Sequence, residues 1–198
     1  MTRIYFVRHA ESIHSWEDDR SRPLTEEGIE DSKKVCEMLR DSKLDYAISS
    51  PYKRSIDTIR ECVHMHHLEI VTDERLRERH KGIEGNQYGM FQKRWEDFSF
   101  HEEGGESLGM VQQRNIEALT CILNQHKDEN IILGTHGTAL STILNFYDPT
   151  FLCEGFLRII DYMPYIIRLD FEGTKYLGKE EMLIIEKVFR SNLRADKR

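Results

Sequence analysis

Arg3-Ile4-Tyr5-Phe6-Val7-Arg8-His9-Ala10-Glu11-Ser12 changes character abruptly at Arg8. The residues before it are β-branched and aromatic, which predicts a short strand. The residues after it are charged or polar, and a strand that stops at Arg-His presents two reactive side chains at its carboxyl end. The same arrangement recurs downstream. Asn130-Ile131-Ile132-Leu133-Gly134-Thr135 is an apolar run that reads as a buried strand, and His136-Gly137 follows it directly.

Helices fill the intervals. Thr25 is placed as an N-cap with Glu26 and Glu27 in the first turn, and Ile29, Cys36 and Leu39 form the apolar stripe of a helix over 25–41. Tyr46-Ala47-Ile48-Ser49 reads as a second strand. Ser50-Pro51 is expected to cap and open a helix carrying Arg54, Ile56, Ile59 and Val63. A third strand is expected at Leu68-Glu69-Ile70-Val71. Residues 73–105 are polar and glycine-bearing, with a short helix near 87–97. A long helix runs from Ser107 to about Gln125, another opens at Gly137, and Tyr165–Asp170 and Met182–Glu186 read as late strands around a turn at Glu172-Gly173. The basic tail after Phe189 is expected to fray. Alternating strands and helices imply an α/β class protein: a three-layer α/β/α sandwich on a mainly parallel sheet, with an antiparallel edge from the closing strands. No repeat, low-complexity segment or linker interrupts the pattern, so one domain over 1–198 is expected.

Composition narrows the function classes. The chain has 198 residues, 39% hydrophobic and 32% charged, with a formal net charge of −7. That balance fits a globular domain and argues against non-specific nucleic-acid binding, which needs a basic surface. It leaves room for a phosphorylated small-molecule partner, because a few local arginines outweigh the global sign. No apolar run approaches the roughly 18 residues of a membrane span. Met1–His9 lacks the pattern of a signal peptide, so no membrane partner and a cytoplasmic location are expected. Cys36, Cys62, Cys121 and Cys153 form no paired motif and are expected as reduced, mostly buried thiols. His64-Met65-His66-His67 does not match a common metal-site spacing, and no metal or cofactor is expected. Oligomeric state is not legible.

In open α/β sheets, ligands bind beyond the carboxyl ends of the strands. Arg8-His9, Arg54 and His136 all fall there, beside helix starts whose free N–H groups favour anions. Arginine offers a planar fork of donors matched to phosphate oxygens. A neutral imidazole is a competent nucleophile toward phosphorus, and a second histidine, if charged, donates to the phosphoryl oxygens. A leaving alkoxide needs an acid, for which Glu78 in Leu76-Arg77-Glu78-Arg79-His80 is the leading candidate. Other phosphatase chemistries leave no trace: there is no Cys-x5-Arg, no N-terminal Asp-x-Asp and no Gly-x4-Gly-Lys. Phe91, Trp95, Phe98 and Phe100 fit either core or a lid over the substrate. Glu102, Glu103 and Glu106 read as a polar loop.

Arg8-His9-Ala10-Glu11-Ser12 after an N-terminal strand resembles the signature of the histidine phosphatase superfamily, which includes the cofactor-dependent phosphoglycerate mutases. Pro23–Gly28, Ser49–Ser55 with Thr58, Leu76-Arg77-Glu78 with Gly82, Gly104–Ser107 with Arg114, and Gly134-Thr135-His136-Gly137 resemble further segments of that family in the same order. The resemblance covers most of the chain. It implies His9 as nucleophile, Arg8, Arg54 and His136 as phosphoryl ligands, Glu78 as proton donor, and Ser12 and Gly137 at the substrate. Two positions depart from the family's pattern. Ala10 stands where glycine is usual, which is harmless if φ there is negative. Gly82-Ile83-Glu84-Gly85 is one residue short of the usual segment and lacks its tryptophan, so Glu84 is the alternative acid. Length and the 13–23 loop favour a hydrolase over a mutase; Arg22-Pro23-Leu24-Thr25 resembles the branch acting on phosphohistidine proteins, whereas Glu78 and Gly104-Gly105-Glu106-Ser107 favour the small-molecule phosphomonoesterase branch. A mutase, a phosphohistidine or phosphoprotein phosphatase, and a non-catalytic phospho-ligand binding protein are the alternatives.

Overall fold

In the computed structural model, which describes residues 1–83 and 89–187, the apolar runs become strands of one six-stranded sheet. These are β1 (Thr2–Arg8), β2 (Tyr46–Ser49), β3 (Ile70–Thr72), β4 (Asn130–Thr135), β5 (Tyr162–Glu172) and β6 (Lys175–Glu186), ordered β3-β2-β4-β1-β5-β6. The first four in that order run parallel. β5 runs antiparallel to β1 and pairs with β6 in a hairpin, so the expected antiparallel edge is present. Its turn passes through Gly173 at φ 57°, a conformation that glycine adopts without strain.

Alternation along the central strands sends side chains to both faces. Ile4, Phe6, Ile131 and Leu133 enter one core with α4 (Leu108–Gln125), α5 (Gly137–Tyr147) and α6 (Cys153–Ile159). Tyr5, Val7 and Ile132 enter the other with α1 (Glu26–Leu39) and α2 (Lys53–Met65). Both faces are covered, which explains why β4 reads as an unbroken apolar run.

Several boundaries differ from the sequence expectation. In α1 the buried stripe is Gly28, Ser32, Val35, Cys36 and Leu39, while Ile29 points to solvent. α2 begins at Lys53 with Tyr52 as N-cap, not at Ser50-Pro51; the Ser50 hydroxyl accepts from the Tyr52 N–H at 3.3 Å and also contacts His136. β3 starts at Ile70 rather than Leu68. The Leu68 N–H instead bonds the Val63 carbonyl, closing the end of α2 through His67 at φ 57°. The short helix near 87–97 is α3 (Met90–Glu96). α6 had no counterpart in the sequence pattern, since seven residues offer too little periodicity. Glu102 and Glu106 are buried ion-pair partners rather than polar loop. The thiols at Cys36 and Cys62 are buried, but Cys121 is exposed and Cys153 half-buried. The tail after Phe189, and Glu84 and Gly85, lie outside the described residues.

The Pro23–Gly28 segment folds back on the loop after β1. Ser12 bridges Leu24, the Thr25 N–H bonds the Glu11 carbonyl at 3.0 Å, and the Thr25 hydroxyl donates to the Glu11 carboxylate at 2.9 Å. The same hydroxyl oxygen caps α1 by accepting from the Gly28 N–H at 2.9 Å. Gly28 sits so close that a Cβ there would run into the Glu11 carbonyl oxygen. Gly28→Ala therefore loses more by overpacking, about 1–3 kcal/mol, than the up to ~1 kcal/mol it gains in helix propensity. Urea unfolding should show a net loss of stability; a gain would contradict this packing.

Candidate active site

Strand register assembles the site. Arg8 pairs with Thr135 across β1 and β4, so the next residues, His9 and His136, emerge side by side. Ser49 pairs with Gly134, which brings Ser50 to the same edge. The His9 N–H bonds the Thr135 carbonyl at 3.1 Å, and the Ser50 N–H bonds the Gly134 carbonyl at 3.0 Å. The two imidazoles meet edge to face, with centroids 5.3 Å apart.

His9 is buried, and its Nδ1 lies 2.7 Å from the Ala10 carbonyl oxygen. A carbonyl only accepts, so Nδ1 carries the proton and Nε2 keeps its lone pair. Burial, reinforced by the positive charges of Arg54 and Arg8, holds the His9 pKa well below the ordinary range, and the ring is neutral. Ala10 causes no strain: among the described non-glycine residues only His67 and Asp128 have positive φ. Its N–H donates to Thr58 Oγ1 at 2.9 Å, and that hydroxyl donates to the Arg54 carbonyl at 2.7 Å.

His136 is fully buried, 2.7 Å from Ser50 Oγ through Nε2. Its Nδ1 has no hydrogen-bond partner among the described residues. Burial and then the Arg54 charge push its pKa well down, so it too is neutral, where the sequence reading had allowed a charged ring.

The guanidinium groups are held by backbone. Arg8 donates through Nη1 to the Ile159 and Tyr162 carbonyls at 2.5 and 3.0 Å. Gly137 lets it lie against the start of α5, where a Cβ would stand 3.2 Å from Arg8 Nε. Arg54, 1% exposed, donates to the Asp19 carbonyl at 2.6 Å and packs over Tyr52, 5.0 Å from the ring centre. Burial lowers its pKa, yet a guanidinium remains charged.

Glu78 faces the same space. Its Oε2 accepts from the Thr138 N–H and its Oε1 from the Ala139 N–H, both at 3.1 Å, so the carboxylate caps α5. Arg114 fixes the segment beneath it, donating to the Arg75, Arg77 and Glu78 carbonyls while pairing with Glu106. Glu106 also accepts from Arg77 and from the His80 N–H, and these cations and donors pull its pKa down to about 2 against its burial.

These groups border a cavity of about 230 Å³. Arg8, His9, Arg54, Glu78 and Gly137 stand on its wall. His136, edge to face with His9, and Ser12, buried in its bridge to Leu24, are not among the wall residues. His14, Asp19, Arg22, Arg79, Lys81, Arg94 and Thr138 also stand on the polar wall; the sequence does not single them out, because nothing local marks a side chain as inward-facing. Ser50 was read only as a helix cap. Phe91 and Trp95 pack on the core and also line the cavity, whereas Phe98 packs on Trp95 and Phe100 lies under Lys93. Among the described residues, no three His, Cys, Asp or Glu side chains gather where they could hold a metal ion. His66, from the histidine-rich stretch, instead bonds the Leu39 carbonyl.

The family model of the histidine phosphatase superfamily (branch 1) matches residues 4–162. The chain belongs to this superfamily. Phosphoglycerate mutase-like protein 4 of Arabidopsis thaliana is 30% identical over 87% of this chain and 81% of its own length. Phosphoserine phosphatase 1 of Hydrogenobacter thermophilus is 27% identical over 69% of this chain and 71% of its own. The fold matches mycobacterial glucosyl-3-phosphoglycerate phosphatase with a TM-score of 0.74 at 17% identity, covering 93% of this chain and 99% of that one. Membership in a superfamily of phosphatases and mutases makes this a phosphoryl-transfer enzyme. No helix among the described residues is long and apolar enough to cross a membrane.

The two neutral histidines tie the stability of this histidine phosphatase domain to pH. In the unfolded chain both take up protons near pH 6.5, whereas in the folded protein both resist until well below it. The unfolded state thus binds more protons on acidification. Their contribution is complete above about pH 6.5 and is lost as pH falls below it, at up to about 1.4 kcal/mol per pH unit for each ring. The urea midpoint should drop between pH 7.5 and 5.5, before most carboxylates titrate; an unchanged midpoint would show that the rings are not held neutral.

Proposed function

We propose that this protein is a metal-independent phosphomonoesterase acting on a phosphorylated small molecule through a phosphohistidine on His9. The observation that carries the reading is the 2.7 Å contact from His9 Nδ1 to the Ala10 carbonyl, which leaves Nε2 as the lone-pair nitrogen of a neutral ring on the cavity wall. Nε2 attacks phosphorus, the bond from phosphorus to the ester oxygen breaks, and Glu78 gives the leaving alkoxide its proton. Water, relieved of a proton by Glu78, then attacks the phosphohistidine; the P–N bond breaks and inorganic phosphate leaves. Arg8 and Arg54 bind the phosphoryl oxygens and supply the positive charge that a cation would otherwise supply. With Ser50 donating to Nε2 of His136, the proton of that ring sits on Nδ1, and a neutral His136 donates it to the phosphoryl group. Gly137 contributes by admitting Arg8 against α5.

Cavity shape supports a small-molecule ester. Beyond the arginines that bind phosphate, the wall continues through Phe91 and Trp95 to Arg79 and Arg94, which share the buried Glu102. Similar proteins support the class. One solved structure is a phosphoserine phosphatase of Entamoeba histolytica in complex with 3-phosphoglyceric acid, at TM-score 0.74 and 18% identity, covering 94% of this chain and 98% of that one.

Turnover of p-nitrophenyl phosphate should persist in excess chelator and disappear in His9→Ala, with acid-labile phosphate trapped on the wild-type protein alone. Full activity in His9→Ala would sink the mechanism, and bisphosphate-stimulated isomerisation of phosphoglycerate in place of hydrolysis would make the enzyme a mutase.

Glu78→Gln separates the acid from the nucleophile. With an alkyl phosphate, whose leaving group needs a proton, kcat should fall about 10²–10⁴-fold. With p-nitrophenyl phosphate, whose leaving group departs as the anion, the loss in the first step should be far smaller. Equal losses on both substrates would remove Glu78 from the acid role.

A further inference from the structure

Loop 13–23 delivers a carboxylate to the phosphate arginines. Asp19 lies on the cavity wall, with one carboxylate oxygen 3.1 Å from Arg22 Nη2 and 3.3 Å from Arg54 Nη1. Its other oxygen accepts from Arg54 Nη2 at 3.4 Å. The loop is built to hold it there. Asp18 folds back on the N–H groups of Arg20 and Ser21 and on the Ser21 hydroxyl. Arg20 pairs twice with Glu74, and its carbonyl accepts from the Lys53 N–H at 2.9 Å. Asp19 is thus presented between two anchored neighbours.

We propose that Asp19 is a built-in competitor for the phosphate position: its carboxylate occupies a phosphoryl position on Arg54 and Arg22 and yields it to the incoming phosphoryl group, so that it sets the affinity of the site for phosphate. This rests on the phosphomonoesterase reading above. Asymmetry of burial makes the exchange directional. Arg54 is 1% exposed and gains little hydration if it loses an anion, whereas the Asp19 side chain is 45% exposed and is readily hydrated. The carboxylate contacts with Arg54 are long, at the outer limit of hydrogen bonding, while the backbone carbonyl of Asp19 holds the same guanidinium at 2.6 Å. A phosphoryl group can therefore displace the side chain and leave the backbone anchor in place. A monoester dianion brings one more negative charge than the carboxylate it displaces.

The test uses Asp19→Asn and Asp19→Ala, which remove the charge and retain the carbonyl that anchors Arg54, with Glu17→Gln, at an exposed position of the same loop, as the control. Calorimetric titration with inorganic phosphate at pH 8 should show about tenfold tighter binding to both Asp19 variants, the size of one partly screened charge contact, and no change in the control. Inhibition of p-nitrophenyl phosphate turnover by inorganic phosphate should strengthen by a similar factor. Phosphate binding that is unchanged or weaker in both Asp19 variants overturns the proposal and makes Asp19 a strut for Arg54, as does binding to none of the proteins. Tighter phosphate binding in the variants of a protein that hydrolyses no monoester would uphold the role of Asp19 and overturn the hydrolase reading instead.

Discussion

Between β1 and β4, the register that pairs Arg8 with Thr135 puts the first residue beyond each strand, His9 and His136, on neighbouring tracks of the sheet edge. Neither ring could reach the other if the pairing slipped by one residue, because a one-residue slip also turns each strand's side chains to the opposite face. Ile4, Phe6, Ile131 and Leu133 on one face and Tyr5, Val7 and Ile132 on the other resist such a slip. The two cores are therefore as much a part of the site as the side chains that border the cavity.

That edge carries a cost. Arg8, Arg54, His9 and His136 are all buried within one small region. The protein meets it in three ways. It keeps both imidazoles neutral, sparing two buried charges. It ties both guanidinium groups to backbone carbonyls, which fixes their direction but leaves their charge. It also brings carboxylates to the margin: Asp19 on Arg54 and Arg22, and Glu78 on the first N–H groups of α5. Each carboxylate sits where an anionic ligand would be welcome.

The motif segments outside the cavity turn out to be scaffolding with definite partners. Pro23–Gly28 packs on Glu11 and holds the loop after β1. Glu106 and Arg114 lace the backbone of residues 75–80 to the head of α4, which sets the direction of Glu78. Both segments matched the family by order and spacing, but spacing does not say which residue touches which.

Much of the fold was legible in the chain itself. Strand β4 and the start of α5 follow from an apolar run ending at His136-Gly137, since a continuous apolar run and helix-start chemistry are local properties. Arg8, His9, Arg54 and His136 could be assigned to one edge because an α/β sheet aligns its carboxyl ends. The remainder depended on contacts between residues far apart in the chain. Ser50 looks like a helix cap until its distance to His136 is known. Asp19 and Arg22 look like solvated loop charges until the loop closes over Arg54. The nitrogen of His9 that keeps its lone pair is set by the direction of one carbonyl, and residue identity is silent on that. Sequence determined the layers and the reactive side chains, because periodicity and residue chemistry act over a few positions. Tertiary structure alone decided protonation, counter-ions and the residues that reach the cavity, because those depend on burial and on partners that only the folded chain brings together.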